Sequence, residues 1–171
     1  GGVEEYEGYG AHLRPTLLHR YLRSDGEQRP YYAFTRDGAH FVCLDANAYF
    51  PHGLPDTSAQ YQWLRQQLKS ANWREANWRF VVVHQPPFSE SKPGYTGDLR
   101  LRSLLDSLAP RYGIDFVLSG HTHAYERMTR SYEGGHRCHY IVSGGGGGPL
   151  EPFFPSKPSM MDAVRTQHHL T

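Results

Sequence analysis

No apolar run in the chain approaches the length of a membrane span. No charge of one sign dominates either: 18 Lys and Arg stand against 17 Asp and Glu. That balance removes the long-range pull that would draw a nucleic acid or an acidic membrane surface, so neither is expected as a partner. Cysteine is scarce. Cys43 and Cys138 cannot make a disulfide framework, and each sits in an apparent strand, where a lone cysteine is usually a small buried apolar group. The redox compartment stays open. No internal repeat is visible. The five glycines Gly144 to Gly148 are no phosphate-binding P-loop, because no Lys-Ser/Thr pair follows them; they read as a tight loop near the site. The start, Gly1-Gly2-Val3-Glu4-Glu5, has no initiator Met and no signal-peptide regions. The end, His168-His169-Leu170-Thr171, carries no terminating feature. The chain is therefore expected to be a piece cut from a longer protein, which leaves compartment undetermined.

What remains is 171 residues, enough for one domain with a real core. Residues 1–30 are polar and without period, an irregular lead-in with a helical turn around Pro15 to Leu22. Tyr31 to Thr35 and His40 to Asp45 flank Asp37-Gly38, a strong hairpin signal. Thr57 with Gln60 reads as a capping box for a helix carrying Tyr61, Leu64 and Leu68 and ending near Ser70. Arg79 to His84 is a continuous apolar strand stopped by Pro86-Pro87. Asp98 caps a second helix with Leu101, Leu104, Leu105 and Leu108 on one face, closed by Pro110 and Gly113. Ile114 to Ser119 is a buried strand. Tyr125 to Tyr132 and Arg137 to Ser143 make another hairpin around Glu133-Gly134-Gly135, and residues 149–171 are a Pro-rich tail.

This order contains two β-α-β units, which give parallel strands and put ligands beyond the strands' carboxyl ends. Asp45, His84 and the pair His121/His123 lie at three such ends. If the chain stays extended past Ser119, His121 and His123 point to one side and Thr122 to the other. A bare His-x-His pair is more often two surface histidines. Three imidazoles at one sheet edge favour a metal site instead.

Val81-Val82-Val83-His84-Gln85-Pro86-Pro87 followed by Gly120-His121-Thr122-His123-Ala124-Tyr125-Glu126-Arg127 resembles the calcineurin-like metallophosphoesterases, in their purple-acid-phosphatase-like branch. The likeness covers residues 31–148 in the family's order. It implies an α/β fold: a β-sandwich with helices on its outer faces, here partial, with the N-terminal part of the domain absent. It also implies two divalent or trivalent metal ions (Fe, Zn or Mn), with His84 and His121 on one and His123 on the other. Two such ions about 3.5–4 Å apart activate a water and clamp the phosphate for in-line displacement. The substrate would be a phosphate ester, a phosphomonoester or a diester, and a secreted or periplasmic protein is compatible with the resemblance.

The family's earlier motifs are missing: the N-terminal Asp, the Gly-Asp segment that bridges the metals, and Gly-Asn-His with its proton donor. Gly97-Asp98 lies between the two His motifs and cannot replace them. His84, His121 and His123 are thus about half of a dinuclear site. No catalytic acid is assigned, His121 being the candidate to stand next to the phosphate. The missing N-terminal portion of the same protein is the partner this implies, and the isolated chain is expected to be weak or inactive. Two alternatives stand beside this reading: a non-catalytic fragment or pseudoenzyme that binds one metal or none, and a single-zinc hydrolase using the three histidines.

Other residues carry plainer expectations. Asp45 caps local backbone; Tyr125, Glu126 and Arg127 act as an ion pair and a packed ring that brace the His-x-His backbone. His40, His136 and His139 are solvent-facing or satisfied in the core. His12, His19, His52, His168 and His169 have no identifiable partner, and Trp63, Trp73 and Trp78 pack.

Overall fold

Asp37 and Gly38 both adopt left-handed backbone, φ 50 and 79. That is the twist a two-residue hairpin needs, and it joins β1 (Tyr32–Arg36) to β2 (Ala39–Leu44) as the sequence predicts. The computed structural model describes residues 31–46, 54–152 and 159–169. The lead-in, its expected helical turn, and His12, His19 and His52 lie outside the described residues. β2 runs parallel to β3 (Trp78–Val83), β3 to β4 (Phe116–Ser119), and β4 to β6 (Arg137–Ser143). Val42 stands opposite Val81, Val81 opposite Val117, and Val117 opposite Tyr140. β5 (Tyr125–Ser131) pairs antiparallel with β6 across the Glu133–Gly135 turn. Among the described residues the strands form one seven-stranded sheet, β1-β2-β3-β4-β6-β5-β7. Its last member, β7 (Ala163–Arg165), lies within the expected tail; three residues are too few to show alternation in a sequence.

The helices follow from their caps, with two corrections. α1 (Ala59–Gln67) is capped by Ser58, whose Oγ accepts from Tyr61 N at 3.1 Å, not by Thr57. Gln60 takes no part in a capping box. It is buried, and its amide donates to Asp45 O and accepts from Asp45 N, both at 2.8 Å, tying the helix to the end of β2. Helix α1 stops at Gln67 because Ser70 caps a separate short helix, α2 (Ala71–Glu75), accepting from Trp73 N. α3 (Leu99–Tyr112) is capped by Asp98 as expected, and its Leu101, Leu105 and Leu108 are buried. Pro110 does not close it. The ring sits in the last turn, where its missing N–H removes one bond near an end that frays anyway. Gly113, left-handed at φ 67, ends the helix.

One sheet face carries Val42, Leu44, Val81, Val83, Val117, Cys138 and Tyr140, buried in one cluster with Leu64, Leu68, Trp73, Leu101 and Leu105 from the helices. The other face carries a ladder of stacked rings, one from each of four neighbouring strands. Phe34, Phe41, Phe80 and Phe116 stand with successive centroids 4.8, 4.6 and 4.8 Å apart, and His139 continues it at 5.3 Å. Apolar residues on both faces are why these strands read as unbroken apolar runs rather than alternating ones. Trp63 and Trp73 pack as expected, whereas Trp78, at the start of β3, is 55% exposed and only tilts against Phe116.

Candidate metal centre

Strand β3 ends at Val83, so His84 is the first residue past its carboxyl end. Gly120 N donates to His84 O at 3.0 Å and carries the β3–β4 pairing one step beyond the strands. The chain does not stay extended from there. His121 is left-handed at φ 63, a strained conformation for a residue with a Cβ. Two tight turns follow, Thr122 N donating to Gly120 O at 2.7 Å and Ala124 N to Thr122 O at 2.8 Å. A turn thus stands where extended chain is expected, and it brings the two histidines to a similar end. Thr122 is buried and shares a 3.0 Å hydrogen bond with Ser89, while His121 and His123 both reach one pocket.

That pocket has a volume of about 590 Å³ and is lined by His84, His121, His123, Lys92, Glu151, Ser143 and glycines 120, 144, 146 and 147. The His84 and His121 rings meet edge to face with centroids 5.3 Å apart, and Tyr95 stands on His121 at 5.4 Å. His123 donates through Nδ1 to the Pro149 carbonyl at 2.8 Å. This leaves Nε2 as its lone-pair nitrogen, the orientation that metal-binding histidines commonly have. The glycine run is packed against this wall. A Cβ on Gly144 would overlap the Thr122 carbonyl, and one on Gly148 would overlap the His123 ring. The tight loop expected there is present, and its sequence follows from that close approach.

Partial desolvation lowers the pKa of His84, and His123 beside it adds to the effect. Desolvation also lowers that of His121, followed by His84, Lys92 and His123. Both rings therefore keep a free lone pair near neutral pH, the form that binds metal. Among the described residues no three of His, Cys, Asp and Glu converge tightly enough to close a metal site by themselves. Two neutral imidazoles in contact, with a third held by its outer nitrogen, suit part of a ligand set. The carboxylate in the lining, Glu151, stands 3.9 Å from Lys92 Nζ.

Asp45 is not among the pocket-lining residues; Gln60 holds both of its backbone groups. Glu126 does not brace the motif through an ion pair with Arg127. Successive strand residues point to opposite faces, so Glu126 is fully buried and Arg127 exposed. The Glu126 carboxylate accepts instead from Glu90 N at 2.8 Å and Ser91 Oγ at 2.5 Å. Tyr125 packs edge-on against His169 at 5.8 Å. His136 donates to Ile114 O at 2.9 Å, His139 bonds Thr129, and His168 Nδ1 donates to Gly145 O at 3.2 Å. Lys92, Tyr95 and Glu151 escape a reading of the sequence. They lie on loops without periodicity, and only long-range contacts bring them to His121.

A family model described as Calcineurin-like phosphoesterase matches residues 4–125. Purple acid phosphatase 21 of Arabidopsis thaliana is 37% identical over 102 residues, 60% of this chain and 22% of that protein. Fe(3+)-Zn(2+) purple acid phosphatase 12 of the same organism is 32% identical over 100 residues, 58% of this chain and 20% of that protein. The chain thus spans about a fifth of the length of these relatives. Among solved structures, purple acid phosphatase PPD1 from yellow lupin (Lupinus luteus) seeds superposes with a TM-score of 0.68 at 19% identity, covering 84% of this chain and 28% of that one.

Proposed function

Because the chain belongs to the calcineurin-like phosphoesterase family, we propose that its histidine-lined pocket is part of the active site of a metal-dependent phosphate-ester hydrolase. The observation that carries this reading is the meeting of His84, His121 and His123, from the ends of two parallel strands, on one pocket. In this proposal His84 and His121 are ligands of one ion and His123 of a second, Fe, Zn or Mn being the metals that imidazole and carboxylate oxygen together suit. Two such ions supply Lewis-acid polarisation of the phosphoryl oxygens and a water acidic enough to act near neutral pH.

The chain's own residues do the positioning. Pro149 O fixes the tautomer of His123, Tyr95 backs the ring of His121, and the Thr122–Ser89 bond holds the turn between the two histidines. Lys92 and Glu151 complete the charged part of the lining. The carboxylates that complete the dinuclear site come from elsewhere in the full-length protein.

The test is p-nitrophenyl phosphate turnover in the full-length protein with zinc, manganese or iron. His121→Ala or His123→Ala is expected to lower kcat by at least about a hundredfold, the scale of a lost electrostatic contribution to the transition state. Unchanged turnover would remove the assignment. One observation favours the rival reading of a non-catalytic protein: no three ligands converge among the described residues. Under that reading the full-length protein shows no turnover and holds one metal ion or none.

A further inference from the structure

We propose that Lys92 is the cation that receives the phosphate group in this pocket, and that Glu151 holds its place until the anion arrives. The proposal rests on the phosphoesterase reading only for the identity of the anion. Lys92 is the one Lys or Arg among the described residues that line the cavity, and the lining puts it alongside His121 and His123.

Its position is built from buried contacts. Residues 89–91 are buried, although they belong to a loop. Ser89 is fastened to Thr122 in the turn between the two histidines. Glu90 N and Ser91 Oγ both donate to the buried carboxylate of Glu126, three residues past His123. Glu90 in turn accepts from Ser159 Oγ at 2.6 Å and Met160 N at 2.9 Å, which anchors the loop on its other side. Tyr95 N donates to Lys92 O at 3.1 Å and closes a tight bridge, Lys92 to Tyr95. The lysine stem thus leaves a hydrogen-bonded base in the pocket lining, and its ammonium is half-exposed beside Glu151. A flexible point charge on an ordered base suits a phosphate, which offers oxygens in several directions.

Among the described residues, the ion pair of Lys92 is with Glu151. At 3.9 Å, with the two side chains 47% and 21% exposed, it is long and solvated, and pairs of that kind contribute little to stability. A dianionic phosphate monoester carries twice the charge of the carboxylate and can displace it. The plain alternative is that the pair tethers the loop containing Lys92 to the loop containing Glu151. The two readings differ in sign. A tether is weakened equally by removing either partner. An occupied phosphate cation loses its ligand when Lys92 is neutralised, and binds it better when Glu151 is neutralised.

The experiment titrates inorganic phosphate, without metal, into the full 171-residue chain and into Lys92→Gln, Lys92→Arg and Glu151→Gln, following the imidazole resonances of His121 and His123. The expected result is about tenfold weaker phosphate binding in Lys92→Gln, the scale of one charge-assisted hydrogen bond. Lys92→Arg should bind within about threefold of wild type, and Glu151→Gln severalfold more tightly. Equal phosphate affinity in wild type and Lys92→Gln would overturn the proposal, as would weakening of the same size in Lys92→Gln and Glu151→Gln, or no phosphate response in wild type. A parallel zinc titration of the wild type separates this from the metal reading: zinc taken up without Lys92-dependent phosphate binding overturns the role of Lys92 alone. Lys92-dependent phosphate binding without zinc uptake supports that role and counts against the metal site.

Discussion

His40 is a buried histidine outside the site whose ionisation is coupled to folding. It is 2% exposed, its Nδ1 bonds Thr35 Oγ1 at 2.8 Å, and its ring stands edge-on to Trp73. Its Nε2 is buried with no hydrogen-bond partner among the described residues. Desolvation lowers its pKa below 6.5. Between that lowered value and 6.5 the unfolded chain binds more protons than the folded one, so stability rises with pH there and is lost as pH falls. His84 and His121 shift in the same direction and add to the slope. His40→Phe should flatten the acid loss without abolishing it, read from urea unfolding midpoints on either side of pH 6.5; an unchanged slope would mean His40 is not the main titrating group. The cysteines are quieter. Burial pushes the Cys43 thiol up to about 11 and Cys138 to about 12, which makes both unreactive at neutral pH and agrees with their reading as small apolar strand residues.

At the scale of elements, what was legible in the sequence was whatever depends on near neighbours. The Asp37-Gly38 hairpin, the Asp98 cap, the leucine face of α3 and the two β-α-β units rest on local chemistry and period, and all are present. Thr57 reads as the cap because Thr57 and Ser58 are both good capping residues. Gln60, the supposed partner, was already committed to Asp45 from β2, a contact fifteen residues distant. The bend at His121 and the burial of Glu126 are equally invisible locally, since both depend on the loop of residues 85–98 folding back over β5. Gly144 is the element-scale test. A Cβ there would fall on the Thr122 carbonyl, leaving no room for a methyl group, so this position can approach the His-Thr-His turn only as glycine. Gly144→Ala should cost about 1–3 kcal/mol, the range of overpacked sites, and should shift the His123 resonances. Gly147→Ala, with nothing near its Cβ, should do neither.

Over the whole molecule, the sheet has two unlike faces that serve one edge. The helices cover the aliphatic face, and the phenylalanine ladder runs across the other. Both hold β2, β3, β4 and β6 in register, and the residues at or past the carboxyl ends of β3, β4 and β6 open onto one place. That arrangement made the histidine triplet readable: strand direction followed from the β-α-β order, and ligand position followed from strand direction. The opposing residues Lys92 and Glu151 were not readable, because no strand ends at either. The central claim is that His84, His121 and His123 bind metal together. The measurement that tests it most directly is the zinc retained by the full-length protein after loading at pH 7.5 and desalting, in the wild type and in the variant carrying His84→Ala, His121→Ala and His123→Ala. The account predicts about one zinc or more held by the wild type and none by the triple variant. Equal zinc in the two proteins, or none in the wild type, would contradict it.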